Sequence, residues 1–184
     1  MTLEARIPQE GPILPYSVSH AVYVDYDPAV VDVAQRVIEL IQRAAPWSAV
    51  EHIGSTAIPG CAGKGIVDLM ALYPLGKLGA TRNAIDRLGF QRQMSGHVFP
   101  EDRPMRVGRI EHGGTAYNLH VHVVVADGPE AKSLRRFRDV LRADSALRDA
   151  YQAKKRAILE SGVSKPSDYT HAKGEFINAI LAQP

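Results

Sequence analysis

Two short stretches of the chain carry side chains suited to phosphate and metal chemistry. The first is a glycine-rich loop from Gly54 to Lys64, in which Ser55 and Thr56 bear hydroxyl groups, and Asp68 follows it in an apolar segment. Small residues let backbone N–H groups approach a phosphate, hydroxyl groups add donors, and a lysine adds positive charge. A carboxylate in an apolar strand is costly unless it is paired or binds a metal. We therefore predict a phosphate-binding loop with Asp68 as metal ligand and catalytic residue; the alternative is a structural loop.

The second stretch is a strand-like segment over 117–125 that alternates polar and apolar residues. A period of two residues predicts that Asn118, His120 and His122 share one face, while the other face is apolar. Two imidazoles one pleat apart can bind a metal or a phosphate, and His120 is the predicted second catalytic residue. If this strand lies beside the one that bears Asp68, the two histidines and the carboxylate would form a metal site. The alternative is a pair of hydrogen-bonded histidines without a ligand.

Cationic and aromatic side chains in the last third of the chain are candidates for the far side of the same pocket. Lys173 falls in the apolar stripe of a predicted helix together with Tyr169, and Tyr151 with Lys154 repeats this arrangement one helix earlier. Together with Arg138, the two lysines are predicted to contact phosphate groups, and the two tyrosines are predicted to line the pocket. The alternative is that the lysine ammonium groups reach solvent past the apolar surface.

The hydrophobic pattern predicts the elements that position these residues. The predicted strands cover 18–24, 49–53, 66–73 and an antiparallel series over 90–99, 105–110 and 115–125, with a hairpin turn at Gly113-Gly114. The predicted helices open at Asp27, cover 78–88 and 129–143, and follow Asp144 and Pro166. We expect an α+β fold, a mixed β-sheet covered by helices with the C-terminal helices packed on the core. Residues 1–25 are predicted to form an N-terminal arm, and residues 26–184 a single domain.

Composition excludes several classes of protein. The 184 residues are 45% hydrophobic and 23% charged, with a net charge of +2, which fits one globular domain and gives no electrostatic reason to expect nucleic acid or an anionic membrane as partner. A single cysteine, Cys61, excludes an internal disulfide, and with no base expected beside it a thiol nucleophile is not predicted. No apolar run reaches the ~20 residues of a membrane helix, and the first residues lack a signal-peptide pattern, so we expect a cytoplasmic protein.

The glycine-serine loop and the acid that follows it resemble the hG[GS]…Dh[DE]h signature of the nucleotidyltransferase superfamily. More narrowly, residues 51–60, Lys64 and residues 66–68 resemble the GrpB-like family, and the likeness continues at 26–28, 118–121 and 137–142 and in the last helices. The resemblance implies a nucleotidyltransferase-like fold in a bacterial cytosolic protein. His52 lies in the most distinctive part of this motif and is expected in the pocket.

Departures from the superfamily pattern bear on the chemistry. Active nucleotidyltransferases carry a second carboxylate two residues after the first, where this chain has Met70, and a third acid on a neighbouring strand, which 117–125 lacks. Lys64 is followed by Gly65, where GrpB-like proteins usually have proline. The segment 118–124 also resembles, more distantly, the histidine-triad signature of nucleotide hydrolases and transferases, with Asn118 in place of the first histidine.

Together, the residues and the resemblance predict a metal-dependent nucleotidyltransferase with a nucleoside triphosphate as donor and a small molecule as acceptor. The expected cofactor is a divalent metal ion, magnesium or manganese, with zinc as the alternative. A second interpretation is a nucleotide- or coenzyme-binding accessory protein without transferase activity, for which Met70 is the main support. A third is a metal-dependent hydrolase that uses His120 and His122.

Overall fold

The computed structural model describes residues 11–17, 23–94, 99–161 and 166–182, and the side chains of 166–172 lie outside that description. The helices are α1 (Val30–Ala44), α2 (Leu78–Arg87), α3 (Pro129–Ala143), α4 (Ser145–Glu160) and α5 (Pro166–Leu181). The strands are β1 (Ala49–Ile53), β2 (Val67–Tyr73), β3 (Gln91–Arg92), β4 (Met105–His112) and β5 (Thr115–Val125). A turn of 3₁₀ helix, Ser55–Ala57, follows β1. The mixed α+β composition expected from the sequence is therefore confirmed.

The five described strands form one mixed sheet in the order β1-β2-β5-β4-β3. The central pair, β2 and β5, is parallel, and the other neighbouring pairs are antiparallel. β4 and β5 form the predicted hairpin, and Gly113 and Gly114 at its turn have φ of 57° and 79°, which a two-residue turn of this kind requires and glycine adopts without strain. The predicted strand over 90–99 is reduced to the two residues of β3, and residues 95–98 lie outside the described part of the chain.

The sheet is packed between two layers of helices. Apolar residues on one face of β5, among them Leu119, Val121 and Val123, form the main core with α1. On the opposite face, Met70 packs with Ala131 of α3. The C-terminal helices form a third cluster with the loop after β1, as predicted, and its buried members are Ile58, Cys61, Phe137, Leu141, Tyr151 and Ile180.

Carboxylates bond to backbone N–H groups near the start of two helices, but the prediction that the first helix opens at Asp27 is wrong, since Ala29 is the N-cap of α1. Asp27 accepts a hydrogen bond of 2.9 Å from the backbone N–H of Ala29, although the first helix begins at Val30, two residues beyond Pro28. Asp144 accepts a bond of 2.9 Å from the N–H of Leu147 at the start of α4. Both carboxylates satisfy N–H groups that have no partner within the helix.

The described part of the N-terminal segment packs against the sheet. Ile13 is fully buried in the main core, and its N–H bonds to the carbonyl of Leu88. Leu14 and Arg109 of β4 form an antiparallel bridge with hydrogen bonds of 2.8 and 2.9 Å. Residues 11–17 of the predicted arm thus belong to the fold. Of the predicted strand over 18–24, residues 18–22 lie outside the described part, and Val24 makes a single bridge.

Among the described helices, none has the length and apolar character needed to cross a lipid bilayer.

Candidate functional site

Asp68 and His120 form the centre of the candidate site. They lie opposite each other in the parallel register of β2 and β5, and Oδ1 of Asp68 is 3.3 Å from Nδ1 of His120. Burial opposes ionisation of Asp68, but the hydrogen bond and charge of His120 outweigh it and hold the pKa of Asp68 below its usual value. An ionised carboxylate accepts a hydrogen bond from Nδ1–H, which leaves the second ring nitrogen with the lone pair. The structure therefore brings together the two residues predicted to be catalytic.

Tyr16 contacts the other ring nitrogen of His120. Its hydroxyl group lies 3.3 Å from Nε2, and the two ring centroids are 5.6 Å apart. Burial, and then the negative charge of Asp68, raise the pKa of Tyr16, so the hydroxyl stays protonated. It donates a hydrogen bond to Nε2. The sequence analysis missed Tyr16, because a single tyrosine in a proline-rich segment carries no periodic signal.

Glycine is the residue type that fits at position 54, beside Asp68. Its backbone has φ of 71° and ψ of −170°, a region that residues with a Cβ rarely adopt. A Cβ placed there would lie 2.5 Å from Oδ2 of Asp68 and 2.9 Å from its Cβ. The predicted loop glycine is thus needed for close packing against the carboxylate. Ser55, the next residue, starts the 3₁₀ turn and is half-buried.

Thr56 and His52 connect the loop to neighbouring backbone. The hydroxyl of Thr56 donates to the carbonyl of Ile66 over 3.1 Å and lies 3.0 Å from Nε2 of His52. Burial lowers the pKa of His52 to about 4, so the ring is neutral at pH 7 and its Nε2–H donates to the threonine oxygen. Both side chains use these groups to hold the loop in place.

Two predicted phosphate-binding lysines lie close enough to Asp68 to interact with its charge. Burial lowers the pKa of Lys64, and Asp68 partly offsets this effect. Burial likewise lowers the pKa of Lys173 to about 8, again with Asp68 acting in the opposite direction. Both lysines are half-buried residues whose charge interacts with that of Asp68; contact with a phosphate stays a prediction for each of them.

Lys155, which the sequence analysis did not select, is the buried lysine of α4. It is 2% exposed, whereas Lys154 beside it is exposed. Nζ of Lys155 donates to the carbonyl of Ala62 in the loop, lies 3.4 Å from Sγ of Cys61, and is 4.4 Å from the ring centre of Tyr151. A basic group thus lies beside Cys61, contrary to the expectation, but burial raises the pKa of this thiol and Lys155 only partly opposes that effect.

Arg138 contacts protein groups that hold β1 against α3. Its Nη1 donates to Oε2 of Glu51 over 3.0 Å and to the carbonyl of His52 over 3.2 Å, and its Nε donates to Asp139 over 2.7 Å. Arg142, one turn later, donates to the carbonyl of Ala57 over 2.8 Å. In this structure the predicted phosphate ligand Arg138 is engaged in ion pairs, and the arginines of α3 fix the strand and turn that lead into the loop.

The predicted three-residue metal site is only partly assembled. His122 lies on the same face as His120, as predicted, but its ring contacts Phe99 edge-on at 5.8 Å, and burial lowers its pKa to about 4. Within the described residues, no group of three or more His, Cys, Asp or Glu side chains is arranged to hold a metal ion. At the position of the second carboxylate, Met70 is fully buried in the core below α3.

The remaining predicted pocket residues lie in different places. Asn118 is on the His120 face, where its Nδ2 donates to the carbonyl of Ser17 over 2.9 Å. Tyr151 is buried among the C-terminal helices, with ring contacts to Phe137 and Phe176 at 5.2 and 5.5 Å, and so contributes to packing. The side chain of Tyr169 lies outside the described residues.

Solved structures with the same fold include members of the nucleotidyltransferase superfamily. A crystal structure of the Cid1 poly(U) polymerase matches with a TM-score of 0.56 at 11% identity, covering 80% of this chain and 50% of that one. A cytoplasmic RNA terminal U-transferase matches with a TM-score of 0.55 at 12% identity, covering 77% and 45%. The expected nucleotidyltransferase-like fold is confirmed by these likenesses, which at such identities concern the fold alone.

Sequence comparisons identify the family. UPF0157 protein SCO7215 of Streptomyces coelicolor is 34% identical over 138 residues, which cover 73% of this chain and 67% of that protein. The crystal structure of the conserved protein GrpB from Enterococcus faecalis has a TM-score of 0.67 at 23% identity, covering 87% of this chain and 94% of that one. The GrpB protein family model matches residues 21–183. With a match over most of its length, the chain belongs to the GrpB family.

Proposed function

We propose that this protein is a cytoplasmic nucleotidyltransferase that binds a nucleoside triphosphate at the Gly54–Lys64 loop and transfers the nucleotidyl group to a small-molecule acceptor. The observation that carries the proposal is the hydrogen-bonded pair of Asp68 and His120, which lies beside this loop with two half-buried lysines near it. Phosphoryl transfer depends on positioning and on neutralising the charge of the phosphates, for which buried lysine cations are suited.

His120 is the proposed general base. In its neutral form it donates Nδ1–H to Asp68 and keeps a lone pair on Nε2, where Tyr16 now donates. When an acceptor hydroxyl replaces the Tyr16 hydroxyl, Nε2 takes its proton, and the acceptor oxygen forms a bond to the α-phosphorus. The bond from the α-phosphorus to the bridging oxygen breaks, and pyrophosphate leaves. Asp68 stabilises the imidazolium formed in this step, and Lys64 neutralises charge on the leaving group.

The residues present fit a magnesium or manganese ion that arrives with the nucleotide. Magnesium is commonly bound by one or two carboxylates together with substrate phosphates, and Asp68 is the carboxylate that this chain offers at the loop. Such an ion would add positive charge to the phosphates. Because both ring nitrogens of His120 already have protein partners, the arrangement gives less support to an all-protein zinc site.

Binding and chemistry are tested separately. Titration calorimetry with magnesium ATP should show binding to the wild-type protein and at least tenfold weaker binding to Lys64→Met, because a half-buried cation of the loop is lost. Lys132→Met, which removes an exposed lysine on α3, is the matched control and should bind as the wild type does. A nucleoside triphosphate panel that shows no binding to the wild-type protein would overturn the proposal.

Pyrophosphate release in the presence of candidate acceptors then reports transfer. At saturating magnesium ATP we expect at least 100-fold slower release by Asp68→Asn, because the amide cannot stabilise the imidazolium. Equal rates for Asp68→Asn and wild type would remove Asp68 from the mechanism.

A second candidate function is nucleotide binding without transfer. The observation that favours it is Met70, which is fully buried at the position where active nucleotidyltransferases carry their second carboxylate. This function predicts tight, Lys64-dependent binding of a nucleotide with no pyrophosphate release for any acceptor. Release that Asp68→Asn abolishes would exclude it.

A further inference from the structure

Tyr16, His120 and Asp68 form a continuous chain of polar contacts that ends at the Gly54–Lys64 loop. The hydroxyl of Tyr16 lies 3.3 Å from Nε2 of His120, and Nδ1 of the same ring lies 3.3 Å from Oδ1 of Asp68. The other carboxylate oxygen, Oδ2, faces the loop, since a Cβ placed on Gly54 would lie 2.5 Å from it. A hydroxyl, an imidazole and a carboxylate in this order are the arrangement in which a histidine activates a hydroxyl group as a nucleophile.

The backbone on both sides of Tyr16 is held in place, which keeps its hydroxyl at the histidine. The N–H of Tyr16 donates to the side chain of Gln91 over 3.2 Å, and the carbonyl of Ser17 accepts from Nδ2 of Asn118 over 2.9 Å. Two residues earlier, Leu14 is bonded to β4 by backbone hydrogen bonds of 2.8 and 2.9 Å. Groups that are already held together react without the entropy cost of an encounter. The hydroxyl of Tyr16 therefore has an advantage over an acceptor that must bind from solution.

The phenol of Tyr16 needs a base to become a nucleophile, and the structure supplies one. Burial, and then the negative charge of Asp68, raise the pKa of Tyr16, so the hydroxyl does not ionise by itself at neutral pH. In its neutral form His120 donates Nδ1–H to Asp68 and keeps its lone pair on Nε2, the nitrogen that Tyr16 contacts. Tyr16 thus occupies the place that the proposed mechanism gives to the acceptor hydroxyl.

We propose that Tyr16 is an internal acceptor of the nucleotidyl group, so that the protein modifies itself on this residue. Nε2 of His120 takes the phenolic proton, and Oη of Tyr16 forms a bond to the α-phosphorus of a nucleoside triphosphate at the Gly54–Lys64 loop. The bond from the α-phosphorus to the bridging oxygen breaks, and pyrophosphate leaves. The product is a phosphodiester between the nucleoside and the tyrosine, so each chain takes up one nucleotidyl group. The inference rests on the proposed transferase function and adds an acceptor to it.

Mass spectrometry of the full chain tests this modification. Incubation with magnesium and each common ribonucleoside triphosphate, without any added acceptor, should add the mass of one nucleotidyl group for at least one of them. Fragmentation should place the group on Tyr16. Radioactive phosphorus at the α position should be incorporated, whereas a label at the γ position should not. Nucleotidyl groups on another residue, incorporation of the γ label, or an unmodified chain with every triphosphate would overturn the proposal.

Variants separate the roles of the acceptor and of the carboxylate. Tyr16→Phe keeps the ring and should abolish the adduct. Tyr23→Phe is the matched control, because the buried hydroxyl of Tyr23 has no hydrogen-bond partner among the described residues, and it should be modified as the wild type is. Asp68→Asn should slow the modification about 100-fold. A cooperative urea unfolding curve for Tyr16→Phe distinguishes loss of the acceptor from loss of the fold. Equal modification of the two tyrosine variants would contradict the proposal.

The chemistry and the kinetics of the adduct give two further tests. A phosphodiester of tyrosine survives acid treatment, whereas a nucleotide bonded to the imidazole of His120 is lost from its phosphoramidate in acid. We expect an acid-stable adduct; an acid-labile one would make His120 the nucleophile and overturn the proposal. Because Tyr16 contacts the histidine of its own chain, the modification rate should not depend on protein concentration. A rate proportional to protein concentration would contradict an internal acceptor.

Failure of this inference can be distinguished from failure of the proposed function. If a nucleotide binds in a Lys64-dependent way and an added acceptor releases pyrophosphate while Tyr16 stays unmodified, the transferase proposal stands and the internal acceptor is wrong. If no nucleoside triphosphate binds, both are wrong. If Tyr16 is modified but no small molecule acts as acceptor, the inference stands and the small-molecule acceptor is wrong.

Discussion

The hydroxyl group of Tyr16 lies 3.3 Å from Nε2 of His120. It belongs to a segment whose backbone is fixed by the bridge between Leu14 and Arg109 and by a hydrogen bond of 3.2 Å from the N–H of Tyr16 to the side chain of Gln91. This contact covers the ring nitrogen that the proposed mechanism uses as base. The hydroxyl group that contacts the candidate catalytic histidine thus belongs to a residue upstream of the family match.

We expect Tyr16→Phe to expose Nε2 of His120. The variant keeps the ring contact and removes the hydroxyl, so the free energy of unfolding should fall by about 1 kcal/mol in urea denaturation. Diethyl pyrocarbonate should modify His120 several times faster than in the wild type, measured by mass spectrometry of the peptide that contains it. The control is Tyr23→Phe, because the buried hydroxyl of Tyr23 has no hydrogen-bond partner among the described residues. Equal modification rates in all three proteins would contradict a shielding role for Tyr16.

Gly54→Ala should displace Asp68 and destabilise the protein by about 3 kcal/mol or more, since the new Cβ meets the carboxylate at 2.5 Å in addition to the strain at positive φ. Gly76→Ala separates the two effects, because Gly76 also has a positive φ, 82°, but has no atom within 4 Å of a Cβ placed there. Its expected cost is about 1–2 kcal/mol. Thermal and urea unfolding of the two variants measure the difference. A Gly54→Ala protein as stable as Gly76→Ala would show that the carboxylate moves aside without cost.

His52 should contribute to loss of stability in mild acid. Its pKa is lowered by burial from 6.5 to about 4 in the folded protein, so between these values the unfolded chain binds a proton that the folded chain does not. Stability therefore falls as the pH decreases from 6.5 to about 4, by up to about 1.4 kcal/mol per pH unit for this group.

The test is the pH dependence of urea unfolding for wild type and His52→Gln. Glutamine retains an N–H donor for Thr56 but does not titrate, so the slope between pH 6.5 and about 4 should be shallower in the variant. The two slopes should coincide above pH 7. If they coincide at all pH values, the imidazole is protonated in the folded protein as readily as in the unfolded one.

Lys155→Met should destabilise the loop that the lysine holds. The substitution keeps the length of the side chain and leaves the carbonyl of Ala62 without its ammonium donor, at an expected cost of about 1–3 kcal/mol. Lys154→Met is the matched control on the same helix, and because Lys154 is exposed its effect should stay within about 0.5 kcal/mol. Urea unfolding gives both values. An unaffected Lys155→Met protein would show that removing a desolvated charge fully offsets the lost hydrogen bond.

Local patterns predicted most of the elements and the two faces of β5, but not the short extent of β3. Alternation over 117–125 placed His120 and His122 on one face, and the structure confirms that Leu119, Val121 and Val123 point to the core. Hydrophobic periodicity depends only on residues close together in the chain. For this reason it correctly predicted the first and last residues of β1 and of α3.

Long-range partners could not be predicted in the same way. Asp68 meets His120 because β2 and β5 are neighbours in a parallel register. From the sequence alone, this pairing of strands could be named only as a condition for the site. Tyr16 and Lys155 reach the site from distant segments, and which of two adjacent lysines points inwards depends on the packing of α4. Arg138 has the side chain expected of a phosphate ligand, but the position of Glu51 on β1 gives it a protein partner.

The parallel pairing of β2 with β5 has a consequence for folding. The hairpin of β4 and β5 closes through a two-residue turn, whereas α2, β3 and β4 lie between β2 and β5 along the chain. Closing a long segment costs more chain entropy than closing a short one, so we expect the hairpin to form early and to dock on β2 late. Asp68 and His120 would then come together only in the last stages of folding, so partially folded chains would lack the candidate catalytic pair even when most of their helices and strands are in place.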